Sequence, residues 1–388
     1  MNRILLICTL ICGCLFNASA QYADHVIPGA AQTSRYLPLL KNKRVALLVN
    51  QTATIDNTHL VDSLLQLHIK IQKIFSPEHG FRGNADAGET VGNSTDGKTG
   101  LPVISLYGQH RKATAADLQD VDILIFDIQD VGARFYTYIS SLQELMESAA
   151  ENKKTLIILD RPNPNGDYVD GPVLDTAFHS FVGMQPVPIV HGMTVGEYAR
   201  MLNGQHWLSK GIQCDIRVIP CENYGHQTFY RLPVKPSPNL PDMAAINLYP
   251  SICFFEGTAV SLGRGTDKPF QVYGAPGFPK TGYSFTPRST AGAKNPVLKD
   301  QLCYGFDLSN APEATPHKGR KLELKWLLEA YRLFPEKDKF FNPFFNKLAG
   351  NAQLQQQIKT GVSEADIRKS WEPGLKKFRT LRAKYLLY

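Results

Sequence analysis

The chain has 388 residues, 43% of them hydrophobic and 20% charged, with a formal net charge of +7 at pH 7. That length holds one large or two ordinary domains, and two are expected. The positive balance favours anionic partners such as cell-wall polymers, but the basic residues are dispersed rather than clustered and give no footprint for nucleic acid.

The chain opens with Arg3, an apolar run from Ile4 to Phe16, and then Ala18-Ser19-Ala20, the small-x-small pattern of a signal-peptidase site. Residues 1–20 are therefore expected to be a signal peptide, with Gln21 as the new N-terminus and a charge of +6 once Arg3 is gone. Cys12 and Cys14 sit in the apolar run and raise a lipoprotein reading, but their flanks fit it poorly. No later stretch reaches the roughly 18 apolar residues of a membrane helix, so no stable membrane insertion is expected. The cysteines left after export, Cys214, Cys221, Cys253 and Cys303, lack the paired spacing of a zinc site. They are read either as partners in one or two disulfides or as buried small apolar groups.

Four apolar, β-branched runs read as buried strands, each followed by a polar cluster: Arg44 to Asn50, Ile69 to Phe75, Ile123 to Ile128 and Thr155 to Leu159. Helical spacing lies between them, at Leu60, Leu64 and Leu65, and at Ile139, Leu142, Leu145, Met146 and Ala149. This alternation predicts a parallel sheet covered on both faces, a Rossmann-like architecture. Asn50-Gln51-Thr52-Ala53 stands where a dinucleotide loop would carry glycines, so no nicotinamide cofactor is expected. A helix from about Thr194 to Leu202 follows, with Thr194 and Glu197 as a capping box, and then a strand from Asp215 to Ile219. Arg231 to Pro241 carries four prolines in eleven residues and reads as a stiff connection. The domain boundary is placed after it, giving an N-terminal catalytic domain over 21–245 and a C-terminal domain over 246–388. Phe254 to Phe278, rich in Gly, Pro and aromatics, suits a binding surface. Helices are predicted over Lys321 to Phe334 and Ser363 to Tyr385.

In open parallel sheets, ligands bind beyond the carboxyl ends of the strands. Those ends carry Asn50, then Glu78 and His79, then Asp127, Gln129 and Asp130 with Arg134 and Tyr136, and then Asp160, Arg161 and Asn163. Glu78 is the first candidate for general acid or base, because Pro77 and Gly80 would hold it in a sharp turn. The competing reading makes it a helix N-terminal carboxylate. His79 would orient Glu78, bind a hydroxyl, or be structural. Of Asp127 and Asp130, one is expected to face the cleft and the other to cap or to pair with Arg134. The HExxH and GxSxG patterns are absent, which argues against a zinc protease and a serine hydrolase.

Six motifs in order, SPEHGFRG (76–83), DIQDVGARFYTY (127–138), DRPNP (160–164), HGMTVGE (191–197), SPN (237–239) and EGT with GRGT (256–258, 263–266), resemble those of the NamZ-type exo-β-N-acetylmuramidases. The likeness runs from about Tyr36 to the C-terminus. It implies a Rossmann-like domain, a smaller α+β C-terminal domain and an active cleft between them. It also implies removal of terminal N-acetylmuramic acid from peptidoglycan-derived saccharides, with no cofactor or metal, and maps the catalytic glutamate onto Glu78. Such chemistry needs an acid and a stabiliser of the oxocarbenium-like centre, which is a second carboxylate or the substrate's own acetamido group. Asp127, Asp130, Asp160 and Glu256 are candidates for that carboxylate. Arg264, Arg134 and Arg161 are candidates for the lactyl carboxylate of muramic acid. His191, Asn239 and Thr266 fall in the motifs as further substrate-binding candidates. Two other readings stay open, a non-catalytic binder of wall fragments and an esterase or amidase acting on wall substituents.

Overall fold

The computed structural model describes residue 23 and residues 25–82, 92–280 and 282–388; the expected signal peptide lies outside them. Six parallel strands form the main sheet: β1 (Arg44–Val49), β2 (Lys70–Ser76), β3 (Pro102–Ser105), β4 (Ile123–Asp127), β5 (Thr155–Leu159) and β6 (Ile216–Ile219). Their order across the sheet is β3-β2-β1-β4-β5-β6, with a short antiparallel strand, Ser94–Thr95, at the β3 edge. This is the doubly wound order, in which the strand order reverses between β1 and β4 and opens a crevice beyond the strand ends. Five of the six strands follow the apolar runs. The sixth, β3, is only four residues long and went unpredicted.

The sheet is apolar on both faces because both are covered. From β1, Val45, Leu47 and Val49 enter one core with Tyr36 and Leu40 of helix α1 (Thr33–Leu40) and Leu60, Val61 and Leu64 of α2 (Leu60–Gln66). Ala46 and Leu48 point the other way, to Leu142, Leu145 and Met146 of α3 (Tyr138–Glu151). That second core runs on without a break into the later half, reaching Phe254, Phe270, Tyr273 and Phe345.

Helix α4 (Val195–Gly204) begins at the expected capping box: the Thr194 hydroxyl accepts from the Glu197 amide, and the Glu197 carboxylate accepts from the Thr194 amide at 2.9 Å. The same hydroxyl donates to Asp160 at 2.7 Å. Thr194→Ala removes a cap and a donor to a buried carboxylate together, and is expected to cost about 1–2 kcal/mol. A urea midpoint unchanged from the parent would contradict this.

The later half is the smaller α+β part. Helix α5 (Met243–Ile252) leads into a three-stranded antiparallel sheet of β7 (Val272–Ala275), β8 (Tyr283–Phe285) and β9 (Cys303–Asp307), with β9 in the middle. Helices α6 (Lys325–Leu333), α7 (Phe345–Ala349) and α8 (Glu364–Arg382) close the chain. The predicted helix over 321–334 thus begins four residues late, and α8 lies within the predicted 363–385. Cys214, Cys221, Cys253 and Cys303 are all unbridged and buried, so the apolar reading of the cysteines holds and the disulfides do not form. Among the described residues no helix is long and apolar enough to cross a membrane.

Candidate active site

A cavity of about 600 Å³ opens at the strand ends, walled by residues of both halves. Its floor is buried and largely aromatic, with Tyr136, Tyr138, Tyr249, Cys253 and Phe270. Its mouth is exposed and basic, lined by Arg111 from the earlier half of the chain and by Phe344 and Lys347 from the later half.

Glu78 stands on this wall, half-buried, two residues past β2. The turn that presents it closes with the Gly80 amide donating to the Pro77 carbonyl at 3.0 Å. Gly80 takes φ 76°, and His79 is forced to φ 102°, a conformation that costs a non-glycine residue on the order of 1–3 kcal/mol. Both carboxylate oxygens of Glu78 are held: Tyr107 donates to Oε1 and Thr137 to Oε2, each at 2.9 Å. Glu78 heads no helix, so the cap reading of it fails. His79 also lines the cavity, its Nε2 3.4 Å from Ser237 Oγ, which ties the turn to the proline-rich connection. Tyr136 lines the floor and donates to the Pro236 carbonyl at 2.8 Å, a second tie to that connection.

Glu256 and Arg264 face the same cavity. They are paired, with Arg264 Nε and Nη2 reaching Glu256 Oε1 at 2.8 and 2.7 Å, and the guanidinium lies 4.9 Å from the Phe270 ring centre.

The other strand-end candidates do not line the cavity; they hold one another in place. Arg161 forks onto Asp127, with Nη2 2.9 Å from Oδ2, and also donates to the Thr54 carbonyl. Neither side chain of this pair exceeds 2% exposure. Arg134 is fully buried and donates to the carbonyls of Pro172, Val187 and Leu348, so it cannot reach a substrate carboxylate. Asp160 accepts from Thr194, the Gly196 amide and Tyr388, which makes it an organiser of the α4 N-terminus. Gln129 donates to the Asp130 and Pro162 carbonyls, and Asn50 accepts from Thr52. Asn163 donates to the Met193 carbonyl, and its side chain fills the space a Cβ on Gly132 would need. His191 accepts from the Met193 amide, and burial, with Arg382 and Arg134 nearby, pushes it down to about 3, so it is neutral in the working range. Asn239 and Thr266 brace loops, donating to the carbonyls of Gly292 and Gly263.

Asp130 is also buried behind the floor and off the cavity. It does not pair with Arg134; its Oδ1 accepts from the Gly132 amide at 2.6 Å. Burial pushes its carboxyl up to about 7. The unfolded chain releases that proton near pH 3.9, so between roughly pH 4 and 7 the native state holds more protons and loses stability as pH rises. Asp130→Asn is expected to gain in unfolding free energy relative to the parent on going from pH 4 to pH 7. Parallel pH–stability curves for the two proteins would contradict this.

Several cavity residues escaped the sequence reading. Tyr107 lies just past the unpredicted β3. Thr137 sits inside the DIQDVGARFYTY motif, and Ser237 inside SPN, without having been singled out. Arg111, Phe181, Lys347 and Phe344 lie in segments with no motif, and only the fold brings them to one mouth. Among the described residues no group of three or more His, Cys, Asp and Glu could hold a metal ion.

The chain matches the family models for the N-terminal and C-terminal parts of the exo-β-N-acetylmuramidase NamZ over residues 45–244 and 247–388. It is 39% identical over 374 residues, covering 91% of this chain and 89% of the relative, to the peptidoglycan β-N-acetylmuramidase NamZ of Bacillus subtilis strain 168. Two DUF1343-family proteins of Bacteroides fragilis NCTC 9343, known from crystal structures, share the fold. One superposes with a TM-score of 0.86 at 51% identity, covering 94% of this chain and 99% of its own. The other does so with 0.80 at 28% identity and the same coverage. Matched over both halves, with Glu78 of the first motif on the cavity wall, the chain belongs to the NamZ family of exo-β-N-acetylmuramidases.

Proposed function

We propose that this chain is an exo-acting glycosidase that releases N-acetylmuramic acid from the non-reducing end of peptidoglycan fragments by hydrolysing the β-1,4 bond to N-acetylglucosamine, with Glu78 as the proton-transferring group. The observation that carries the reading is Glu78 itself, a carboxylate on the cavity wall with both oxygens fixed by hydroxyls, so that it is aimed before substrate arrives. Glycoside hydrolysis needs that proton at the leaving oxygen and a stabiliser for the positive charge developing at the anomeric carbon. Of the four carboxylates considered for the second role, only Glu256 lines the cavity, fixed there by Arg264; the substrate's acetamido group is the alternative stabiliser. Of the three arginines considered for the lactyl carboxylate, only Arg264 lines it. A buried floor and an exposed mouth suit a terminal sugar entering end-on.

A chromogenic β-glycoside of muramic acid tests this reading. The folded protein is expected to release the chromophore. An intact glycoside, with free N-acetylmuramic acid still protecting the protein against heat, would favour a binder of wall fragments, and loss of an acyl or amide substituent would favour the esterase or amidase. We place the enzyme in the periplasm, on the strength of the leader sequence and of a substrate that lies outside the cytoplasm. A mature protein beginning at Gln21 in the periplasmic fraction is the expected result, and a lipidated or secreted form would contradict it.

A further inference from the structure

The wall between Glu78 and the mouth is a ladder of three side chains. Tyr107 donates to Glu78, its ring lies 6.4 Å from that of Phe181 at a 59° tilt, and the Arg111 guanidinium sits 4.4 Å over the Phe181 ring centre. Arg111 is exposed, and stacking on the ring fixes its planar fork without using its hydrogen-bond donors. Phe181 and Tyr107 are half-buried, so the ladder reaches open solvent at Arg111.

On the exo-muramidase reading, on which this inference rests, the terminal sugar occupies the floor and the leaving chain runs out through the mouth. Glu78, which meets the bridging oxygen, marks the border between them. Arg111 therefore stands on the leaving side, separate from Arg264 and Glu256. The first leaving sugar, N-acetylglucosamine, carries no charge for an arginine to read. The second, another muramic acid, carries a lactyl carboxylate matched to a planar fork. We propose that Arg111, stacked on Phe181, forms a carboxylate subsite for the second sugar on the leaving side, so that the enzyme favours fragments of three or more sugars over the disaccharide.

The test compares kcat/KM for MurNAc-GlcNAc and for the tetrasaccharide MurNAc-GlcNAc-MurNAc-GlcNAc, in the parent, Arg111→Ala, Arg111→Lys and Lys347→Ala. A second tetrasaccharide has its inner lactyl carboxylate converted to a carboxamide, and a third has that carboxylate taken up by a stem peptide, which moves the charge outward. A charge-assisted contact at an exposed rim corresponds to a fall of about three- to tenfold in the tetrasaccharide-to-disaccharide ratio on Arg111→Ala. Arg111→Lys is expected to retain part of the preference, and the carboxamide substrate to abolish the effect of the substitution. Retention of the effect on the peptide-bearing substrate alone would assign the anion to the stem peptide and overturn the lactyl assignment. An unchanged ratio, a fall that persists with the carboxamide, or a fall in Lys347→Ala instead would also overturn the proposal. A parent protein inert toward both unmodified saccharides would sink the underlying reading, an outcome distinct from active turnover with no chain-length preference.

Discussion

Glu78→Gln is expected to lower turnover by about 10²–10⁴-fold, the range that general acid–base catalysis contributes, with the fold intact. The amide is nearly isosteric with the carboxyl and can still accept from Tyr107 or meet the Thr137 hydroxyl. The Pro77 to Gly80 turn does not depend on the side chain at all. What the amide cannot do is hand a proton to the glycosidic oxygen and take one back. Thermal unfolding should coincide with the parent while hydrolysis of the chromogenic muramic acid glycoside collapses. Near-normal rates from the variant would remove Glu78 from the mechanism, and a lowered melting temperature would mean that the turn had been misread.

The second large effect is on stability. Arg161→Ala is expected to destabilise the protein by about 3–5 kcal/mol, because it leaves the Asp127 carboxylate buried without its partner. The pair bridges the ends of β4 and β5, and Arg161 also reaches the Thr54 carbonyl beyond β1, so the substitution loosens the strand ends on which the cavity stands. The double variant Asp127→Leu/Arg161→Met should recover most of the loss, since an apolar pair of similar volume removes both the charge and its desolvation cost. Urea unfolding of the three proteins measures this. A single variant within about 1 kcal/mol of the parent, as for an exposed ion pair, would contradict the burial argument.

These two residues mark where the sequence could be read and where it could not. The strands were legible because a sheet covered on both faces must be apolar on both, and a run such as RVALLV has few other uses. Glu78 was legible because proline and glycine around a lone carboxylate fix a turn locally. Asp127, Arg161, Asp160, Asn163 and Gln129 looked like the same kind of residue and are not. A polar side chain at the end of a buried strand either points up into the crevice or turns sideways to satisfy a neighbour, and that choice depends on residues far along the chain: Thr194 and Tyr388 for Asp160, Met193 for Asn163. Periodicity carries no such information. Several motifs that resemble the family therefore serve to lock the strand ends together, as Gly132 does by leaving room for Asn163. Tyr107 was missed for a simpler reason. The strand before it, Pro102–Ser105, opens on a proline and carries only Val103 and Ile104 as apolar residues, too weak a pattern to register, so the polar groups beyond it were not searched.

The most direct test of the account is the time course of products from MurNAc-GlcNAc-MurNAc-GlcNAc, followed by mass. A cavity with a buried floor that takes the terminal muramic acid, with Glu78 at its border, predicts free N-acetylmuramic acid and the matching trisaccharide as the first products, and neither with Glu78→Gln. Disaccharides appearing first, from cleavage inside the chain, or release of muramic acid undiminished in the variant, would contradict it.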